Sequence, residues 1–411
     1  MLNRVVSVAT FEAEFGALAT IGAEATSGGW SRFAWTESDR AARHWFTEAA
    51  ERRGLSVEVD RNGNLWAWWG PAGGAAVVVG SHLDTVPAGG AYDGALGVVS
   101  AFLALDELQA AGAVPRRPVA VVAFADEEGA RFRLPTFGSR LLTGALDPVE
   151  ARGRTDAAGI ALPEALRRFR VEPAGLGTDR GRLDQIGHFL ELHVEQGRGL
   201  VDLGAPVGLG TGIWPHGRWR LTLTGEPNHA GTTRLPDRRD PTLPLARAVT
   251  VARGLARHAD AVATVGRIVV EPNGANSVPG QVTAWLDARA AEEATLDWLV
   301  ADWTQEVRRS AAEEGVSVGL VEESRTAGVR FDIGLTDRLA AVLATLDLPA
   351  PRLATAAGHD AGALAAVVPA AMLFVRNPTG VSHSPAEYAE AADCVVGVRV
   401  LAAAVEELAC R

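Results

Sequence analysis

Residues 75–100 read AAVVVGSHLDTVPAGGAYDGALGVVS. The run Ala75–Val79 is apolar without a polar break, the pattern of a strand buried on both faces. A glycine-rich turn follows, and from Gly94 to about Ala111 the pattern turns helical. Val119–Phe124 is a second unbroken apolar run, and His188–Val194 reads as a third strand. Strand, helix and strand at this spacing predict an α/β fold, with a mostly parallel sheet covered by helices. Open sheets of this kind gather ligands beyond the carboxyl ends of their strands. The polar residues just past each run therefore carry the most information.

Upstream, Thr36 and Asp39 open a helix with Ala42, Trp45, Phe46 and Ala49 on one face, and Gly54 closes it. Val57 and Val59 alternate with polar neighbours, Asn62-Gly63 predicts a hairpin turn, and Leu65–Trp69 returns. Trp66, Trp68 and Trp69 read as core or dimer packing. Downstream the rhythm changes. Arg218–Thr224 alternates, a helix spans about Pro244–Ala256, and strands follow at Ala263–Glu271 and Gln281–Ala288. A helix with Leu296, Leu299, Val300, Trp303 and Val307 on one face precedes a last strand, Val316–Glu322. This β-α-β-β-α-β order predicts a ferredoxin-like insertion over 213–327. The first domain then comprises 1–212 and 328–411.

The chain has 411 residues, enough for two or three domains at about 150 residues each. A net charge of −11 gives nucleic-acid binding no electrostatic support. The opening fifteen residues carry Glu12 and Glu14 and no long apolar run, so neither a signal peptide nor a membrane span is expected. Cys394 and Cys410 form no metal-binding pattern. A reducing cytoplasm is the expected setting.

His82 and Asp84 follow the first buried run, with Asp93 beyond the glycine-rich turn. Asp126-Glu127-Glu128 follows the second run, and His193 lies in the third with Glu195-Gln196 after it. Gly358-His359-Asp360 and Ser382-His383-Ser384 come far downstream. Imidazole and carboxylate without thiolate suit zinc, manganese, cobalt or nickel. Two adjacent ions need one bridging carboxylate and two further ligands each. His82, Asp93, Glu128, His193 and His383 supply that number. Glu127, beside Glu128, is the candidate general base.

The strings GSHLDTVPAGGAYDGALGV, FADEEGARFRLPTFGSR, ELHVEQG, GEPNHAGTTRLPDRRDP and GHDAG, in this order, resemble the amidase/hydantoinase/carbamoylase family of the dinuclear-zinc exopeptidases. The likeness spans nearly the whole chain. It implies a zinc-exopeptidase-like catalytic domain, an inserted lid that makes a homodimer, and two divalent ions per subunit. By this resemblance His82 and His193 hold one ion, Glu128 and His383 the other, and Asp93 bridges them. Glu127 is the base, and Asp84 is the carboxylate that orients His82. His229 reaches the neighbouring subunit's site to stabilise an oxyanion. Asn276 and Arg289 take the substrate carboxylate, and Gln196 and His359 line the same pocket. Arg289 also has Asp287 within reach as a plain ion-pair partner. Gly210-Thr211-Gly212 is the expected hinge for closure of Asn276 and Arg289 over the ions.

Two positions depart from the family pattern. Leu134 follows Arg133 where glycine is common, a neutral change. Phe374–Gly380 replaces a Pro-Ser pair and places Arg376 near the second ion. The resemblance implies hydrolysis of a ureido C–N bond, with allantoate the first expectation and an N-carbamoyl-L-amino acid the second. A dipeptidase or aminoacylase of the same clan ranks lower, since such peptidases more often carry a carboxylate where His193 stands. A non-catalytic metal-binding role would require a missing ligand or base, and none is missing.

Overall fold

A computed structural model of the chain describes residues 6–411. Residues 1–5, the start of the N-terminal stretch read above, lie outside the described residues. The chain folds as two compact units, one ending at Gly212 and resuming over Arg330–Arg411, the other Ile213–Val329.

The first unit is built on a nine-stranded sheet. Its order is Ser56–Val59, Leu65–Trp69, Val119–Phe124, Ala76–His82, Ile186–Val194, Ala370–Val375, Val207–Ile213 and Val329–Arg330, with Arg352–Thr355 also on Val207–Ile213. The four central strands are parallel, and antiparallel pairs flank them. Every residue of Ala76–His82, Val119–Phe124 and Ala370–Val375 is buried, as unbroken apolar runs require. Helix Ala95–Ala110 is apolar nearly all round because it lies between the sheet and helices Val8–Ala19 and Ala391–Val405. Phe102 on this helix packs edge-on against Trp45 and Phe46 of helix Glu37–Glu51. Each such buried side chain contributes about 1.5–3 kcal/mol. The expected Asn62-Gly63 hairpin turn is a wider loop, 60–64, in which the Asp60 carboxylate accepts the N–H groups of Asn62 and Asn64.

The second unit is a four-stranded antiparallel sheet in the order Ser317–Thr326, His216–Thr224, Gln281–Arg289 and Val262–Glu271. Helices Thr242–His258 and Glu293–Glu313 connect these strands, giving the ferredoxin-like sequence of elements. Inward residues of the two central strands, among them Trp219, Leu221, Val282 and Leu286, pack on Leu296, Leu299, Trp303 and Val307. A short ladder pairs Asn228–His229 with Ser277–Val278. Gly210-Thr211-Gly212 is not a free hinge loop. It lies inside strand Val207–Ile213, and the Thr211 carbonyl accepts the Phe331 N–H. Among the described residues no helix is long and apolar enough to cross a membrane.

Candidate metal centre

The register of the parallel strands brings the chemistry together. His82 lies beside Phe124, so Glu127 and Glu128, just past that strand, fall next to the His82 loop. Phe374 lies beside His193, and the segment beyond it carries His383. Asp93 stands immediately before helix Ala95–Ala110. Gly94 between them has φ +65°, and a Cβ there would sit 2.4 Å from the His82 ring, so only glycine fits this approach.

Two donor triads share one aspartate, His82–Asp93–His193 and Asp93–Glu128–His383. Asp93 Oδ1 lies 3.5 Å from His82 Nε2 and 3.2 Å from His193 Nε2. Asp93 Oδ2 lies 3.4 Å from His383 Nε2, which is 3.5 Å from Glu128 Oε2. Bonds of about 2.0–2.1 Å to a tetrahedral ion set donor atoms about 3.3–3.4 Å apart, so the spacings fit. The tautomers fit too. His82 Nδ1 contacts the Asp84 carbonyl at 3.0 Å and His193 Nδ1 the Val194 carbonyl at 2.9 Å. With each Nδ1 carrying a hydrogen, both Nε2 atoms face Asp93, that of His193 also lying 3.2 Å from the Gly94 N–H, and a cation there would take their lone pairs. Glu128 Oε1 is buried and has no hydrogen-bond partner.

Asp84 meets His82 Nδ1 with its backbone carbonyl and also with its carboxylate. Its Oδ1 is 3.6 Å from His82 Nδ1, and its two oxygens accept the Glu127 and Glu128 N–H groups at 3.1 and 3.0 Å. The Asp84 carboxylate therefore fixes the base-bearing turn. Burial pushes the Glu127 carboxyl well above the usual range, although His82 pulls it down. Burial and Asp93 do the same to Glu128. Burial would also raise Asp93, but the His193 and His82 imidazoles hold it well below. Gln196 Nε2 donates to Asp93 Oδ2 and Ser382 Oγ, at 2.9 and 3.0 Å, leaving its buried Oε1 unpartnered. His359 packs on His193 with ring centroids 4.5 Å apart. Burial, then His193, hold His359 neutral, and its Nε2 is unpartnered.

In the second unit, His229 and Asn276 are neighbours, since His229 pairs with Ser277 and the Ala230 N–H donates to the Asn276 carbonyl. His229 Nδ1 accepts from the Gly231 and Thr232 N–H groups, at 3.0 and 3.2 Å. Arg289 is at the other end of strand Gln281–Arg289, its Nε 2.9 Å from Asp287 Oδ1. Arg376 is not a free cation near the centre, since its Nε and a terminal nitrogen hold Asp393 Oδ2 at 2.9 and 2.8 Å.

Two residues that sequence reading missed belong to the surroundings. Buried Arg32 donates from Nε to the Leu83 carbonyl at 2.7 Å, and burial lowers it to about 10 while Asp84 and Asp93 raise it. Glu387 Oε1 accepts the Tyr92 and Asp93 N–H groups, and burial with Asp93 raises this carboxyl to about 7. The one available signal for Glu387 is its position four residues after His383.

Residues 78–407 match the model of peptidase family M20/M25/M40, and the chain belongs to that family. It is a hydrolase and stands with the hydantoinase/carbamoylase amidases. An N-carbamoyl-L-amino acid amidohydrolase of Geobacillus stearothermophilus is 37% identical over 93% of this chain and 94% of its own. An allantoate amidohydrolase of Bacillus subtilis is 34% identical over 95% of both. The crystal structure of a hydantoinase/carbamoylase-family amidase from Burkholderia multivorans superposes with a TM-score of 0.90 at 31% identity, covering 99% of this chain and 98% of that one.

Proposed function

We propose that the chain hydrolyses the ureido (carbamoyl) C–N bond of a small anionic ureido acid. The observation that carries this reading is the pair of imidazole–carboxylate triads sharing Asp93. His82 and His193 would hold one ion and Glu128 and His383 the other, with Asp93 between. Zinc and manganese suit these donors, as do cobalt and nickel. When bound, such ions acidify water and polarise a carbonyl.

The chain's own residues do the rest. Glu127 is 3.8 Å from His82 Nε2 and buried, so its carboxylate is positioned to move a proton. It takes one from water as the C–O bond forms and returns it to nitrogen as the C–N bond breaks. Ammonia leaves with the terminal nitrogen, and the N-carboxylate left behind loses carbon dioxide as its own C–N bond breaks and its nitrogen takes a proton, with ureidoglycine as the remaining product if allantoate is the substrate. His229, with Nδ1 already accepting, carries its hydrogen on Nε2 and donates to the developing oxyanion. Arg289 exchanges Asp287 for the substrate carboxylate, which its fork matches. Asn276 binds the substrate, and Gln196 and His359 line the pocket.

Eight residue steps along Gln281–Arg289 put about 26 Å between Arg289 and the His229–Asn276 end of that sheet. One copy of this unit cannot bring both ends to one centre. We therefore propose a homodimer through this unit, in which His229 and Asn276 together serve the partner's site. Neither a membrane nor nucleic acid takes part, and the setting is the cytoplasm.

The expectation of allantoate draws on overall likeness and on the Arg376-Asn377 departure, and Arg376 is paired with Asp393. The N-carbamoyl-L-amino acid reading therefore stands beside it, favoured by the 37% identical relative. Ammonia release by manganese-loaded protein, with allantoate and a panel of N-carbamoyl-L-amino acids side by side, separates the two. Silence on every ureido substrate, with turnover of dipeptides, would overturn the proposal.

A further inference from the structure

The rings of His82 and His193 are each pinned by a backbone carbonyl. Among the described residues no carbonyl pins His383. Its side chain is 50% exposed, and its φ of +55° is one that a non-glycine residue holds only when its surroundings impose it. Two ties link its segment to Asp93. Gln196 spans Asp93 Oδ2 and Ser382 Oγ. Glu387 turns back from the same segment, its own N–H on the Ser384 carbonyl. Its Oε1 collects the Tyr92 and Asp93 N–H groups at 3.1 and 3.0 Å. The seat is built for this carboxylate: a Cβ on Gly90 would come within 2.2 Å of Oε1, and Glu387 is 4% exposed. No other hydrogen bond accounts for its burial, since Oε2 has no partner.

We propose that Glu387 is a positioning residue that clamps the Asp93 turn to the His383 segment and so sets the affinity of the ion held by Asp93, Glu128 and His383. This inference rests on the two-ion reading above. The other ion shares Asp93 but keeps two imidazoles that are pinned independently, so loss of the clamp weakens one site far more than its neighbour. A general packing defect would have no such selectivity.

The experiment is Co2+ titration of the metal-free full chain, followed by visible absorption, with Mn2+ electron paramagnetic resonance for coupling between the ions. Wild type takes up two ions. Glu387→Ala keeps the tighter Kd within twofold, weakens the other by about tenfold or more, and loses the coupled-pair signal at two equivalents. Glu387→Gln, which keeps an oxygen acceptor, restores both. Glu387→Asp is one methylene too short to reach both N–H groups. It weakens the second ion likewise, and it decides the matter if the alanine variant does not fold. Two unchanged affinities and intact coupling in the folded Ala or Asp variant overturn the role of Glu387 alone. A wild-type chain that takes up fewer than two ions overturns the two-ion reading and this inference with it.

Discussion

Gly94→Ala tests the closest approach in the centre. Gly94 has φ +65° and ψ −50°, close to the strained γ-turn conformation, which costs an alanine about 1–3 kcal/mol. The new Cβ would lie 2.4 Å from His82 Cε1 and Nδ1 and 2.5 Å from Nε2. Ordinary contact begins about 1 Å further out, so the ring must move, and its 3.0 Å bond to the Asp84 carbonyl goes with it. That bond is worth about 1 kcal/mol. The sum is about 2–4 kcal/mol in the metal-free protein. Gly54→Ala is the control: its φ is +70° with nothing within 4 Å of the added Cβ, so only the backbone cost of about 1–2 kcal/mol applies. Denaturant unfolding in chelator should rank wild type, Gly54→Ala, then Gly94→Ala. Adding Mn2+ should then stabilise wild type and Gly54→Ala alike. Gly94→Ala should gain about 1.4–2.7 kcal/mol less, equivalent to a 10–100-fold weaker ion site. Equal stability and equal metal affinity for the two variants would refute this account of why residue 94 is glycine.

Glu127→Gln should retain its ions, counted by elemental analysis, while kcat falls by about 10²–10⁴; unchanged turnover removes Glu127 from the chemistry. Burial favours the neutral acid at Glu127, so the proton stays on to a higher pH than on an exposed glutamate. In the metal-free chain the Glu127 carboxyl should therefore titrate above about 4.3, followed by its carboxyl carbon-13 chemical shift, and a midpoint at or below that value contradicts the effect of burial. Trp303 is 1% exposed, and its Nε1 donates to the Ala248 carbonyl, joining the two helices of the second unit. Trp303→Ala should destabilise that unit by about 3–5 kcal/mol, read as faster proteolysis within 213–329; an unchanged cleavage rate would count against this packing.

Local chemistry made much of this molecule legible. Ala76–His82 and Val119–Phe124 announce themselves because a strand buried on both faces has no polar position. Their ligands sit within a few residues of the strand ends, so motif and fold were read together. What escaped is long-range or carried by the backbone. Glu387 meets the Asp93 N–H across 294 residues, and no periodicity encodes such a bond. Asp84 also turns its carbonyl to the imidazole and its carboxylate to two amides, contacts that residue type does not reveal. Arg376 looked free because Asp393 lies 17 residues on, across a turn into helix Ala391–Val405. That strand Gln281–Arg289 separates Asn276 from Arg289 within one copy is likewise a fact of register that two carboxylate-binding side chains do not announce.

The charges of the centre argue for its cargo independently of any motif. Asp84, Asp93 and Glu127 are at most 7% exposed, and the Glu128 side chain is as well buried. Four ionised carboxylates so close together would each cost several kcal/mol in lost hydration. Arg32 supplies one fixed positive charge, which leaves the set negative. Without ions the balance must be made with protons: Glu127 and Glu128 are pushed toward the neutral acid, while His82 and His193 are raised by their carboxylate neighbours despite burial. Two divalent cations would replace those protons, free the imidazole lone pairs and let both glutamates ionise. The same exchange readies Glu127 as a base, so metal uptake and activation of the base are one electrostatic event.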